Sequence, residues 1–66
     1  MKNSIKVERA KKDITQEQLA EAIGVSRQTI NSIEKGKYVP STVLSLKMAA
    51  YFQVSVHELF QLEEGD

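Results

Sequence analysis

The feature that most restricts the fold is the stretch "TQEQLAEAIGVSRQTI", residues 15–30. Thr15 can cap a helix, and Gln18 stands three residues on, where a capping box needs its second partner. Leu19, Ala20 and Ile23 recur at i, i+1 and i+4 and give that helix one apolar side. Gly24 ends it, because glycine enters the left-handed region without steric cost. Ser26 then caps the next helix only two residues later. The two helices are joined by "IGVS", a very tight turn with Val25 as its apolar plug.

The rest of the chain is punctuated in the same way. A first helix is predicted over about Ile5–Lys12, and the helix capped by Ser26 runs over about Arg27–Lys35 until Gly36 stops it. "GKYVP" is a loop. Ser41 caps a fourth helix, about Thr42–Phe52, in which Met48, Ala49 and Phe52 share a face with Leu44 or Ser45. Ser55 and Glu58 form a second capping box that opens a short fifth helix through Phe60. No segment alternates with period two, so the fold class is all-α, with at most a short β-ribbon between the termini. The 66 residues make one domain, 1–66. A domain of this size buries only about 60% of its unfolded surface. With no cysteine, its support must come from helix packing or from a partner chain.

Nine basic and nine acidic residues cancel, which is not the bulk signature of a nucleic-acid binder. The placement is uneven. Lys2, Lys6, Arg9, Lys11 and Lys12 against Glu8 leave +4 on residues 1–12, and Arg27, Lys35 and Lys37 against Glu34 leave +2 on residues 26–37. Glu58, Glu63, Glu64 and Asp66 put −4 on residues 58–66. Either the surface is simply mixed, or it has a basic face and an acidic one. No apolar run approaches the ~20 residues of a membrane span, and the start carries no apolar block of a signal peptide. The expectation is a soluble, cytoplasmic protein. One histidine and no clustered ligands speak against a metal site, and no phosphate loop or nucleophile–base pair can be argued from spacing. Tyr38, Tyr51, Phe52 and Phe60 are too scattered for a base-stacking platform. Neither enzyme activity nor a cofactor is expected.

The third predicted helix carries only two large apolar side chains, Ile30 and Ile33. At about 100° per residue, Asn31, Lys35, Gln28 and Ser32 fall about 100°, 140°, 160° and 200° from Ile30, an outward arc of amides, hydroxyl and ammonium. Arg27 projects from the first turn beside them. Gln and Asn can pair bidentately with adenine and Arg with guanine, Ser meets several partners, and Lys suits phosphate. Alone, such a helix is more often simply a solvated surface helix. With a preceding helix and a short Gly-containing turn it has the helix-turn-helix layout, in which the second helix enters the major groove.

At these residues the chain resembles a family. "TQEQLAEAIGVSRQTINSIEKGKYVPS" is similar to the helix-turn-helix, here about residues 16–35, of Cro/cI-type regulators, the xenobiotic-response-element family. The resemblance continues through "LKMAAYFQVSVHELF", and its most specific parts are "Q-x-x-L-A", "G-V-S-x-x-x-I", "I-E-x-G" and the Pro-Ser after the loop. It implies a five-helix, lambda-repressor-like domain of the small stand-alone kind. It places Ser26, Arg27, Gln28, Asn31 and Ser32 toward bases or the adjoining backbone. Thr15, Gln16, Lys35 and Lys37 would meet the DNA backbone, and Arg9 and Glu34 would form a structural salt bridge between the first and third helices. For Thr15 and Gln16 a helix N-terminus also favours phosphate on physical grounds, beside plain capping. Lys37 is equally an ordinary loop charge.

Four positions depart from the family pattern. Glu8 stands where an apolar residue is common, so the first helix is rotated or Glu8 lies at the rim. Asp13 and Gln53 stand where Gly is common at helix ends. Val39 replaces a residue that is often polar. The expected function is a sequence-specific double-stranded DNA-binding transcriptional regulator, a repressor, acting as a homodimer on a near-palindromic operator. The C-terminal part, 54–66, is the expected dimer contact, with Leu44, Val56, His57, Phe60 and Leu62 as candidates; Phe60 alternatively closes the monomer's own core. The competing readings are a protein-interaction module that kept the fold without the DNA role, and an antitoxin or restriction–modification controller.

Overall fold

The computed structural model describes residues 1–66. Strand β1 (Lys2–Asn3) is followed by helices α1 (Ile5–Lys12), α2 (Gln16–Ile23), α3 (Arg27–Glu34), α4 (Thr42–Phe52) and α5 (Val56–Leu59), and by strand β2 (Phe60–Gln61). Four helices begin on a side-chain oxygen. Thr15 Oγ1 accepts from Gln18 N at 3.0 Å while Gln18 Oε1 accepts from Thr15 N at 2.8 Å. Ser55 and Glu58 repeat that box at α5. The Ser55 N–H, and after it the Ser55 hydroxyl, hold the carboxyl pKa of Glu58 below its usual value, so the carboxylate half of this box is present at neutral pH and is lost as the pH falls through that lowered value. Ser26 accepts from Thr29 N and Ser41 from Leu44 N. At α1 the serine in the cap position makes no such bond; Asn3 Oδ1 accepts from Ile5 N instead.

The helix ends are equally uniform. Asp13, Gly24, Gly36 and Gln53 follow α1, α2, α3 and α4 in the left-handed region, at φ 56°, 80°, 74° and 58°. After α3, Gly36 N returns to Ile33 O and Lys37 N to Ser32 O, both at 2.9 Å, which satisfies carbonyls that the helix leaves open. The same pairs of bonds close α1 and α4.

Every helix contributes to one core of twelve apolar residues. Helix α3 contributes only Ile30 and Ile33, 0% and 1% exposed, each worth about 1.5–3 kcal/mol of burial. Leu44, not Ser45, completes the inner face of α4. Glu8 lies at the rim of α1, half-buried and paired with Lys11 at 3.3 Å, while Val7 is turned out. Lys12 Nζ stands 5.1 Å from the centre of the Tyr51 ring and ties α1 to α4.

Two expectations about element ends are corrected. The last helix stops at Leu59, not Phe60: Phe60 is extended (φ −126°, ψ 136°) and pairs antiparallel with Asn3, as Gln61 does with Lys2. Turning there buries the ring and lets Leu59 O accept from Ser4 N at 2.9 Å. Helix α3 ends at Glu34, with Lys35 half in the helix as its N–H still reaches Asn31 O. The ribbon that the sequence only permitted is formed.

Arg9 and Glu34 clamp α1 to α3. Nε and Nη2 of Arg9 donate to the two carboxylate oxygens at 2.7 and 3.1 Å, and Nη1 donates to Ile14 O at 3.0 Å. The side chains are 15% and 8% exposed, so this forked pair is shielded from most screening by salt.

Two stability measurements follow. Gln53→Gly removes a left-handed L-residue and should be neutral or stabilising by up to about 1 kcal/mol, read as an unchanged or higher melting temperature by circular dichroism. Glu34→Ala leaves the Arg9 guanidinium half-buried without its partner and should cost about 2–4 kcal/mol in urea denaturation. The double replacement Arg9→Met with Glu34→Leu should recover most of that loss.

Candidate nucleic-acid interface

The tight turn sets the site. Val25 is half-buried against the core, and Gly24 and Val25 both donate to Ala20 O, so α3 leaves α2 after a single left-handed residue. With Ile30 and Ile33 inward, the opposite side of α3 faces out. Arg27, Gln28, Lys35 and Lys37 are exposed, and their side chains make no hydrogen bond or ion pair within the chain. Asn31 and Ser32 are half-buried along the same helix. Unmet donors of this kind, beside one another on a rigid helix, are what base edges and phosphates require.

The N-terminus of α2 opens onto the same side. Arg9, Asp13, Ile14, Thr15, Gln16, Glu17 and Arg27 line an open groove of about 550 Å³ where the ends of α1 and α2 meet the start of α3. Thr15 takes the N–H of Gln18, and the N–H groups of Gln16 and Glu17 lie in the first turn, where a helix provides no partner. That end favours a phosphate oxygen. The carboxylates of Asp13 and Glu17, which line the same groove as Arg27, oppose one.

Four of the expected contact residues, Thr15, Gln16, Ser26 and Asn31, already make side-chain hydrogen bonds inside the chain. Gln16 Nε2 donates to Asn31 Oδ1 and to Glu34 Oε1, both at 3.2 Å, which uses both of its N–H groups. The amide of Gln16 is therefore committed within the chain, and its backbone N–H is the group left at this helix end. Asn31 keeps its own Nδ2 free. Ser26 Oγ accepts from Thr29 N and lies 2.9 Å from Thr29 Oγ1, so its hydroxyl serves the cap. Arg9, Glu34, Gln16 and Asn31 form one connected polar network, with Glu34 raising the Arg9 pKa above its usual value through their hydrogen bond.

The candidate dimer residues separate. Leu44 is 8% exposed and lines a groove with Ile23, Val25 and Tyr38, away from the C-terminal ribbon. Phe60 is 6% exposed and forms the floor of two adjoining grooves, one reaching Val39, Pro40 and Leu46, the other His57 and Leu62. Val56 is half-buried and joins the two grooves. Leu62 and His57 are exposed, as are Val39 and Leu46, which the sequence reading did not select for this face. The apolar character of α4 nearly all round its axis was the available signal. The reading also missed Asn3, whose amide reaches the end of α3. No helix is long and apolar enough to cross a membrane.

Comparison with known proteins agrees with this geometry. The sequence model of the helix-turn-helix family matches residues 5–59. An uncharacterised HTH-type transcriptional regulator of Methanocaldococcus jannaschii is 50% identical over 66 residues, covering 100% of each chain. The HTH-type transcriptional regulator YgzD of Bacillus subtilis, also uncharacterised, is 48% identical over 64 residues, covering 97% of each. Among solved structures, the restriction-modification controller protein C.AhdI of Aeromonas hydrophila superposes with a TM-score of 0.76 at 32% identity, over 85% of this chain and 81% of that one. The chain belongs to the helix-turn-helix family of DNA-binding HTH-type transcriptional regulators, of the Cro/cI type.

Proposed function

We propose that the chain is a sequence-specific repressor that binds a near-palindromic operator as a homodimer. The observation that carries DNA reading is the outward side of α3, where Arg27, Gln28 and Lys35 are exposed and unpartnered beside the open N-terminus of α2. Arg27 and Gln28, with the Nδ2 of Asn31, are the base readers. Lys35, Lys37 and the α2 N-terminus hold phosphates. Occupying an operator that overlaps a promoter represses by exclusion, which requires only this DNA face, whereas activation requires a further contact with the transcription machinery.

The dimer rests on the apolar surface around the terminal ribbon. Val39, Leu46 and Leu62 are 62%, 55% and 82% exposed around two adjoining grooves floored by Phe60, apolar surface that nothing in the single chain covers. Two copies related by a two-fold axis through this face would read half-sites about 34 Å apart. The likeness to C.AhdI supports a second reading, control of a restriction–modification system, and the genes beside this one decide it.

Site selection from random DNA should return a sequence with two-fold symmetry. On that site Gln28→Ala should cost about 1–3 kcal/mol and relax preference at one base position, measured by competition titration. Lys35→Ala should weaken binding to selected and random DNA alike and reduce the salt slope by about one. Equal behaviour of the two variants on both DNAs contradicts the assignment. Leu46→Glu should give a monomer by sedimentation at micromolar concentration, where the unmodified chain is a dimer, and should weaken operator binding at least tenfold.

A further inference from the structure

We infer that Asn3 is a positioning residue for the DNA-reading helix, tying the end of α3 to the terminal ribbon. Its amide makes two bonds of opposite sense. Nδ2 donates to Ile33 O at 2.8 Å, and Oδ1 accepts from Ile5 N at 3.2 Å. Only a group with a donor and an acceptor on one short stem serves both partners, and the partners themselves fix which way the amide faces. Asn3 is half-buried and is the one side chain from another element bonded to the backbone of α3; Arg9 and Gln16 act on side chains of that helix.

The carbonyl it holds matters for the site. Ile33 O is among the last four carbonyls of α3, which the helix leaves open, and it also accepts from Gly36 N. The chain runs on from there through Lys35 and Gly36 to Lys37. Asn3 is held in turn: it pairs with Phe60, and Ser4 N donates to Leu59 O. A direct hydrogen-bonded link from the terminal ribbon to the backbone of the reading helix therefore passes through this amide. Helix α3 has only Ile30 and Ile33 as apolar anchors, so its end is set by such polar ties.

This role rests on the DNA reading proposed above. The experiment compares the full chain with Asn3→Ser and Asn3→Asp. Serine keeps an acceptor for Ile5 N but cannot reach Ile33 O; aspartate keeps the acceptor and turns a carboxylate toward a carbonyl oxygen. For Asn3→Ser, affinity for the DNA site selected by the unmodified chain should fall about three- to tenfold, as loss of one hydrogen bond implies. Affinity for random DNA at the same salt should change less than about twofold, and the salt slope should be unchanged. Asn3→Asp should lose more discrimination, with its helical circular dichroism retained. Full discrimination in both variants overturns the proposal, as does a parallel fall on selected and random DNA. An unmodified chain that selects no sequence fails the DNA reading itself. The tie is then judged on hydrogen exchange in the free protein: faster exchange at the Gly36 amide of Asn3→Ser supports it, and equal rates overturn it.

Discussion

The forked pair between Arg9 and Glu34 is the interaction on which the arrangement depends. A helix meant to enter a groove must leave most of its surface free, so α3 surrenders nearly all its apolar contacts. Two isoleucines hold its distance from the core but constrain poorly its rotation and its ends. The guanidinium of Arg9 constrains them by direction: two parallel bonds to one carboxylate and a third to Ile14 O fix α1, the α1–α2 loop and α3 in one frame. Gln16 extends that frame into α2 by bonding the same carboxylate and Asn31. The net stability of such a pair is modest, since desolvation opposes the attraction. Its value here is geometric.

The same economy governs the rest of the chain. With no disulfide and a twelve-residue core, the helices are closed largely by local chemistry at their ends, whereas α5 runs out into the ribbon. Thr15, Ser26, Ser41 and Ser55 supply the starts, and left-handed residues supply the stops. These bonds need no distant partner, and they fix helix lengths before packing does. What packing adds is the angle between helices, and the tight α2–α3 turn leaves little freedom even there.

Function divides the surface in two. Polar groups without partners lie on α3 and at the start of α2; apolar groups without partners lie around Phe60, Leu46 and Leu62. The neutral net charge conceals this, because the acidic end of the chain folds back beside the ribbon, with Glu63 and Asp66 carboxylates 3.2 and 3.1 Å from the Met1 amino group. Balanced composition is therefore no argument against a DNA face whose cations are grouped.

By itself, the sequence determined the helices, because caps, glycine stops and apolar spacing are written within a few residues of where they act. Thr15 with Gln18, Ser55 with Glu58 and the "IGVS" turn could be read directly. The exposure of Arg27, Gln28 and Lys35 could be read too, since Ile30 and Ile33 are the only large apolar side chains on that helix. Tertiary structure decided what depends on residues far apart. It placed Phe60 in a strand, because Asn3 pairs with it, and Ser4 with Leu59, from the other end of the chain. It chose Leu44 over Ser45 for the inner face of α4 and set the exposed Leu46 beside the groove floored by Phe60. It committed the amide of Gln16 to Glu34 and Asn31, and the amide of Asn3 to Ile33 O. Hydrogen bonds across 15, 18 or 30 residues leave no periodic trace in a single sequence, since each needs only one residue of the right reach at either end.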